Sequence, residues 1–495
     1  MERLNKQTNV LLNIKNKLHS LKLEDILCIY IVLCPILDIS SFLFRNYFET
    51  NISVSTFLRP ILPIIISIYI FIKANKKNKL ILISIVGIYV IYGIIHLLVT
   101  NTFLTGCSYG GIKEELQYVI NYSFLIVNLI IFYYAFTNKK WRKKKIIDEN
   151  KEKVEKRTKK IRIAILIMSS IYILSILLAI ITKTSSYTYM EEKIGYKGWI
   201  ESGNSLSAIL CISLFIIYPL VKDKKLRVFT IITIILIGIY LVTLIGTRTG
   251  LIGFFLVTSL FITVEVILSK NRAAIIGFFA LAVIIIAVGL VGSNTLIRRE
   301  QINNENYKII DEKTGEVGHM TGDMLRIKNK ILDGTLDKEY MSEAQKQAVL
   351  DLNEYANKVN LAGTDTRTQQ LMYNIYLVKE QKSILGIIFG NGYESNFREM
   401  VMENELVSFL LNFGIIGFLI YVGPFIFILI FSCIKIIKAL KKKEKLKSEY
   451  ILACLALVLA FALSYLSGYI FFNSSLMIIL SAIGIYIFVN SDRKS

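Results

Sequence analysis

Apolar stretches long enough to cross a bilayer recur along this chain, and one long polar segment between Val291 and Glu403 interrupts them. Hydrocarbon offers no partner to a backbone N–H or C=O, so such stretches cross as helices of about 20 residues. About twelve spans are expected on that length, near 25–44, 55–73, 80–100, 117–136, 162–183, 203–221, 228–246, 250–268, 273–292, 413–435, 450–470 and 474–490. The expected fold class is all-α, a polytopic membrane protein with one large, partly helical extracellular loop. An N-terminal membrane region over 1–292 holds about nine of the spans, the loop occupies 293–403, and a C-terminal membrane region over 404–495 holds about three. A hydrophobic content of 54% and a mean hydropathy of +0.55 exclude a soluble protein with several cores.

The formal net charge of +21 would point to nucleic acid in a soluble domain. Here the positive-inside rule accounts for it. Segments 1–24, 73–79, 139–162, 222–227, 270–272, 435–447 and 493–495 carry 37 of the 58 Lys and Arg. They alternate correctly for a multi-pass cell-membrane protein with both termini cytoplasmic. The 291–403 segment carries 14 Lys/Arg against 17 Asp/Glu, which places it outside. The basic start (Arg3, Lys6, Lys15, Lys17) leads into a full-length span, so no cleavable signal peptide is expected. Lys143-Lys144-Lys145 read as a topology determinant in a cytoplasmic connector. Five cysteines fall in spans and Cys107 in an outer loop, without disulfide or metal spacing. Three scattered histidines (His19, His96, His319) argue against a metal centre, and no cofactor is implied.

The outer loop has the periodicity of a folded unit. Ser342-Glu343-Ala344-Gln345 reads as a capping box, followed by Ala348, Leu352, Tyr355 and Val359 on one helical face. A second helix is expected from Thr364-Asp365-Thr366, with Leu371, Ile375 and Val378 as its apolar face and Gly386, Gly390 and Gly392 ending it.

Five charged residues stand out as site candidates. Arg248, in Gly246-Thr247-Arg248-Thr249-Gly250, sits in a short turn at the outer interface, where it can anchor a lipid headgroup or grip a phosphate. Arg367 falls at the start of an expected helix, an electropositive end that suits a cation only when an anion joins it. Arg59 lies about one turn inside a span beside Pro60, with Asp38 a candidate partner. Glu403 and Glu405 open the stretch that re-enters the membrane, where a carboxylate can serve as general base or pair with an arginine. Glu265 and His96 read as structural. A folded outer loop with outward-facing arginines suits an enzyme acting on a lipid-linked anion better than it suits a transporter.

In order and spacing these motifs resemble the O-antigen ligase and Wzy-type polysaccharide polymerase superfamily. The carriers are Gly246-Thr247-Arg248-Thr249-Gly250, then Arg367 with Gly390-Asn391-Gly392-Tyr393, then Glu403-Asn404 leading to Gly414-Ile415-Ile416-Gly417. Ligase-like members typically have His-Asn where this chain has Glu403-Asn404, which favours a polymerase. The resemblance implies a metal-independent glycosyltransferase that uses undecaprenyl-diphosphate-linked oligosaccharide, with membrane lipids, a flippase and a chain-length regulator as partners. Arg248, Arg367 and Arg59 would hold the diphosphate, and Glu403 or Glu405 would activate the acceptor hydroxyl. Transfer of a finished glycan to another acceptor, and glycolipid flipping, are the competing readings.

Overall fold

The computed structural model describes residues 22–490, except 51–52, 105–110, 138–150, 191–192, most of 269–291, 305–307, 311–316, 320–323, 337–342, 360–365, 382, 394–401 and 445. The membrane part begins with α1 (Leu23–Tyr47), α2 (Val54–Lys73), α3 (Lys76–Leu104), α4 (Gly111–Thr137) and α5 (Lys151–Ile181). A hairpin of β1 (Ser186–Tyr189) and β2 (Ile194–Gly198) follows, then α6 (Gly203–Ile217), α7 (Arg227–Ile239) and α8 (Arg248–Leu268). The polar segment contributes α9 (Asn294–Asn304), the hairpin β3 (Lys308–Ile310) with β4 (Val317–His319), α10 (Met324–Leu332), α11 (Glu343–Lys358), α12 (Thr366–Gln381) and α13 (Ile384–Phe389). The chain closes with α14 (Glu405–Asn412), α15 (Gly414–Tyr421), α16 (Gly423–Lys441), α17 (Ser448–Leu466) and α18 (Ser474–Asn490).

Among the described residues ten helices are long and apolar enough to cross a membrane, and Ser474–Asn490 is a shorter apolar helix. The span expected at 273–292 falls mostly outside the described residues, as do Cys107, Lys143-Lys144-Lys145, Ser342 and Thr364-Asp365. The span expected at 413–435 is divided into α15 and α16. Pro424 in the first turn of α16 has no N–H to continue the preceding helical ladder, so the break falls at Val422.

Helix ends that the basic-loop pattern puts on one side meet in space. Arg157 pairs with Glu24, Lys160 with Asp25, Arg162 with Glu449, Lys447 with Glu155, and Lys159 with Asp223. Glu265 accepts from Lys222 at 2.8 Å, which gives it the structural role expected of it. At the heart of the bundle α6 is buried along nearly its whole length, between α8, α5 and α17.

The polar segment has a small core of its own, made by Ile327, Ala348, Val349, Leu352 and Tyr373. Its helical faces are rotated from those expected. Tyr355 and Val359 are exposed while Val349 and Ala356 are buried; Ile375 is exposed while Gln369, Gln370, Tyr373 and Asn374 are buried. The buried face of α12 is polar because Gln370 accepts the Glu403 backbone N–H at 3.1 Å. Gly386 also does not end α12. It lies inside the separate helix α13, which Ser383 caps through the Gly386 N–H at 3.2 Å.

The two glycine motifs of the C-terminal half pack backbone to backbone. Asn391 N donates to Leu411 O at 3.1 Å and Gly392 N to Asn412 O at 2.9 Å. Gly390 has φ +98°, and a Cβ there would stand 2.0 Å from Asn412 O; Gly414 has φ +70°. A side chain at Gly390 is therefore both strained and blocked. Gly390→Ala should lower the thermal unfolding temperature of detergent-solubilised protein by several degrees, or abolish folded yield. Gly87→Ala, in α3 with nothing near the added methyl, should leave it unchanged or raise it slightly. Equal behaviour of the two variants would refute this packing.

Candidate functional site

Four of the five charged candidates converge on the turn that joins α17 to α18. Arg367, in the first turn of α12, donates from Nε to Glu403 Oε2 at 2.8 Å and from Nη1 to the Leu466 carbonyl. Glu403 is held against that turn by its own backbone: a Cβ on Gly468 would fall 2.0 Å from Glu403 O, so glycine with φ +69° is required. The Arg367 and Glu403 side chains are 45% and 31% exposed. That pair is open to a ligand.

Glu405 is different in kind. Its residue is 4% exposed, and its carboxylate accepts three consecutive amides, Ile470 N and Phe471 N on Oε2 at 2.8 Å each and Phe472 N on Oε1. Burial pushes this carboxyl up to about 7 against the downward pull of the three amides. With both oxygens engaged, Glu405 shapes the turn and does not face the exposed surface. Asn404 beside it caps α14 through Val407 N.

Arg59 pairs with Asp38 as expected. The other Asp38 oxygen accepts from the Tyr172 hydroxyl and, at 2.8 Å, from Ser475 Oγ. Ser475 opens α18, where Asn473 Oδ1 caps the amides of Ser475 and Leu476 at 3.0 Å each. The Arg59 network thus ties α1, α2, α5 and α18 together just beneath the turn that Glu405 holds.

Arg248 is the fifth candidate, and its turn is built more elaborately than its glycines suggest. The end of α7 widens into a π-helical turn, Tyr240–Leu244. Thr247 then caps α8, taking the Gly250 N–H at 3.0 Å and exchanging a hydrogen bond with Ser207 at 2.7 Å. Gly246 has φ +78° and faces Gly195 of the β1–β2 hairpin, a hairpin that the sequence reading did not place. Asn294 and Ser293, at the start of α9, donate to Leu244 O and Val242 O at 2.8 Å each. This framing leaves Arg248 at the first position of α8, exposed and with no hydrogen-bond or ion-pair partner among the described residues.

Three residues join the site from the structure. Arg298 of α9 lies over the Tyr189 ring at 3.3 Å, bringing a second guanidinium to the region of the Thr247 turn. Gln370 holds Glu403. Tyr469 is 41% exposed with φ +57°; partial burial raises its phenol pKa, the Glu403 and Glu405 carboxylates add to that, and Arg367 opposes it. Its carbonyl accepts from Ser205 Oγ at 3.4 Å, while Ser207, two residues further along α6, bonds Thr247. The start of α6 is therefore the bridge between the Arg248 side and the Arg367–Glu403 side. Ser467-Gly468-Tyr469, a glycine turn between two spans at the end opposite the basic loops, was the sequence signal for Tyr469.

His96, read as structural, is fully buried. Its Nε2 meets Glu115 Oε1 at 2.8 Å and its Nδ1 meets Phe389 O at 2.7 Å, while Glu115 Oε2 accepts the Tyr393 N–H at 2.7 Å. The pair fixes the Gly390–Tyr393 turn from below. Among the described residues no three His, Cys, Asp or Glu side chains converge to ligate a metal.

A family model described as "O-antigen ligase like membrane protein" covers residues 20–494. No curated protein and no solved structure matches.

The two glutamates should separate cleanly. Glu405→Ala leaves three amides without their acceptor, each charge-assisted bond being worth about 1.5–3 kcal/mol, and should cost folded yield. Glu403→Gln keeps a hydrogen-bonding side chain on an exposed pair and should unfold at the wild-type temperature. Equal loss of folded protein in both variants would contradict this division.

Proposed function

The chain belongs to the O-antigen ligase like membrane protein family, and from that premise we propose that it polymerises undecaprenyl-diphosphate-linked oligosaccharide repeat units on the outer face of the cytoplasmic membrane. The family supports a membrane role in glycan transfer or polymerisation. The observation that carries the finer reading is Arg248, an exposed and unpartnered guanidinium on a helix N-terminus, framed by buried hydrogen bonds that hold it there. A cation at that end is locally unfavourable until an anion joins both the guanidinium and the helix dipole. A diphosphate satisfies them together.

In this reading Arg248 holds the donor diphosphate, with Arg298 beside it, and Arg367 approaches from the other side of α6. Arg367 is exchangeable because a half-exposed ion pair is worth about 0–1 kcal/mol. When it turns from Glu403 to phosphate, the Glu403 carboxylate is released to take the proton of the acceptor hydroxyl. That hydroxyl oxygen forms the new bond to the anomeric carbon as the bond from that carbon to the diphosphate oxygen breaks. The arginines then neutralise the departing diphosphate. Glu405 and Arg59 act through the geometry of the turn and its underpinning. Glutamate in place of the histidine typical of ligase-like members supports polymerisation over ligation.

The test is reconstitution with the lipid-linked repeat unit and sizing of products on a gel. A ladder stepping by one repeat is expected. Arg248→Ala should reduce extension at least about 100-fold at unchanged protein amount, and Arg248→Lys should recover only part, because a point charge lacks the guanidinium fork. Transfer only to a separate acceptor would make the protein a ligase, and translocation without elongation a flippase. Normal ladders from Arg248→Ala would remove that arginine from the mechanism.

A further inference from the structure

Among the described residues the non-glycine residues with left-handed φ are Glu49, Lys183, Lys193, Lys443 and Tyr469. The first four are exposed charged residues in the connections between elements. Tyr469 is the aromatic exception. At φ +57° a bulky side chain crowds its own backbone, so the conformation persists only where the surroundings impose it. Here they do. Glu405 takes the next three amides, and Ser205 Oγ bonds the Tyr469 carbonyl at 3.4 Å. Gly468 has already closed α17 by donating to Leu463 O at 3.1 Å, so capping that helix does not require Tyr469 to be left-handed.

The ring held in this way is unused by the fold. Phe471 packs on Phe409 and Phe425, and Phe472 on Tyr118 and Tyr122, inside the buried aromatic cluster. Tyr469 is 41% exposed; among the described residues its ring packs on no other ring and its hydroxyl has no hydrogen-bond partner. The charges of Glu403, Glu405 and Arg367 all act on its phenol. Those neighbours decide what the ring can receive. A phosphate would be repelled by the two carboxylates, and an acyl chain would gain nothing from the charges. A pyranose has C–H bonds on its face for the ring, and hydroxyls on its rim for the exposed carboxylate and guanidinium.

We infer that Tyr469 is the platform for the acceptor sugar: the pyranose that carries the attacking hydroxyl stacks on its ring, with that hydroxyl directed to Glu403. The inference rests on the reading of Glu403 as the group that receives the acceptor proton. It adds the residue that selects a sugar, and explains why strained backbone is kept at this turn.

Two measurements on the full-length protein test it, one of them independent of turnover. The first is saturation-transfer NMR with the repeat-unit oligosaccharide freed from its lipid, in a detergent that carries no sugar. Wild type should transfer saturation to the C–H protons of one pyranose. Tyr469→Gly, which adopts φ +57° without strain and keeps the fold, should weaken that transfer at least about fivefold. The second is elongation of the lipid-linked form. Tyr469→Gly should raise the half-saturating repeat-unit concentration about tenfold, the size of one aromatic stack, with the limiting rate within about threefold. Tyr469→Phe keeps the ring and should stay within about twofold on both counts. Tyr465→Leu, 56% exposed one turn earlier on helical backbone, should change neither. Binding of the free oligosaccharide that depends on Tyr469, without elongation, would leave this sugar site standing and sink the polymerase reading. No transfer from wild type, undiminished transfer in Tyr469→Gly, or Tyr469→Leu as active as Tyr469→Phe would each overturn the platform. So would a loss in Tyr465→Leu equal to that in Tyr469→Gly, which would make both tyrosines interfacial anchors.

Discussion

One buried carboxylate organises the end of this molecule opposite its basic ion pairs. Glu405 binds three successive backbone amides of Ile470, Phe471 and Phe472, so it stands in for the strand or helix partner that those amides would otherwise need. A turn between two spans has no such partner of its own, and without one it would wander. Fixed by Glu405, it presents Leu466 O to Arg367, Gly468 to the Glu403 backbone, Tyr469 to the surface and Ser475 to Asp38. Two residues apart in sequence, Glu403 and Glu405 thus have opposite work. The first faces outward and can exchange partners; the second is spent on holding the first in place.

The other charges inside the bundle follow the same economy. Asp38 satisfies Arg59, Tyr172 and Ser475 at once. The His96 ring has both nitrogens engaged, Nδ1 with the Phe389 carbonyl, which can only accept, and Nε2 with Glu115. Each network joins helices distant in sequence and ends on a segment near the site, the α18 cap in one case and the Gly390–Tyr393 turn in the other. Replacing such pairs with apolar residues need not cost stability. What they supply here is position, because polar groups in hydrocarbon tolerate few arrangements.

Much of this was legible in the residues. Length and hydropathy gave ten of the twelve expected spans among the described residues, basic loops gave the ends that meet, and Arg59 pointed to Asp38. Arg248, Arg367 and Glu403 stood out as charges placed where a helix end or interface makes them awkward. What remained hidden was tertiary. The turn of Ser467-Gly468-Tyr469 has no charge to attract notice, and its importance comes from Glu405, more than sixty residues earlier. Apolar periodicity misjudged α12, since its buried face is glutamine, tyrosine and asparagine serving Glu403. The Tyr189 contact of Arg298 required the β1–β2 hairpin, whose register no periodic signal fixed. The apparent single span at 413–435 concealed a proline restart.

The contrast between Arg248 and Arg367 bears on how such a site turns over. Arg248 is held without a counter-charge, so its attraction for an anion is available from the outset and depends little on rearrangement. In the proposed reaction Arg367 begins paired to Glu403, and a diphosphate that it took would displace a carboxylate that is at once its competitor and the group proposed to receive the proton. Anion binding and base release are then one event. The exposure of that pair keeps the exchange inexpensive, while Gln370 and Gly468 keep Glu403 in place after its partner leaves. A buried pair would have locked the carboxylate, and a lone glutamate would have been free to act on water before the donor arrived.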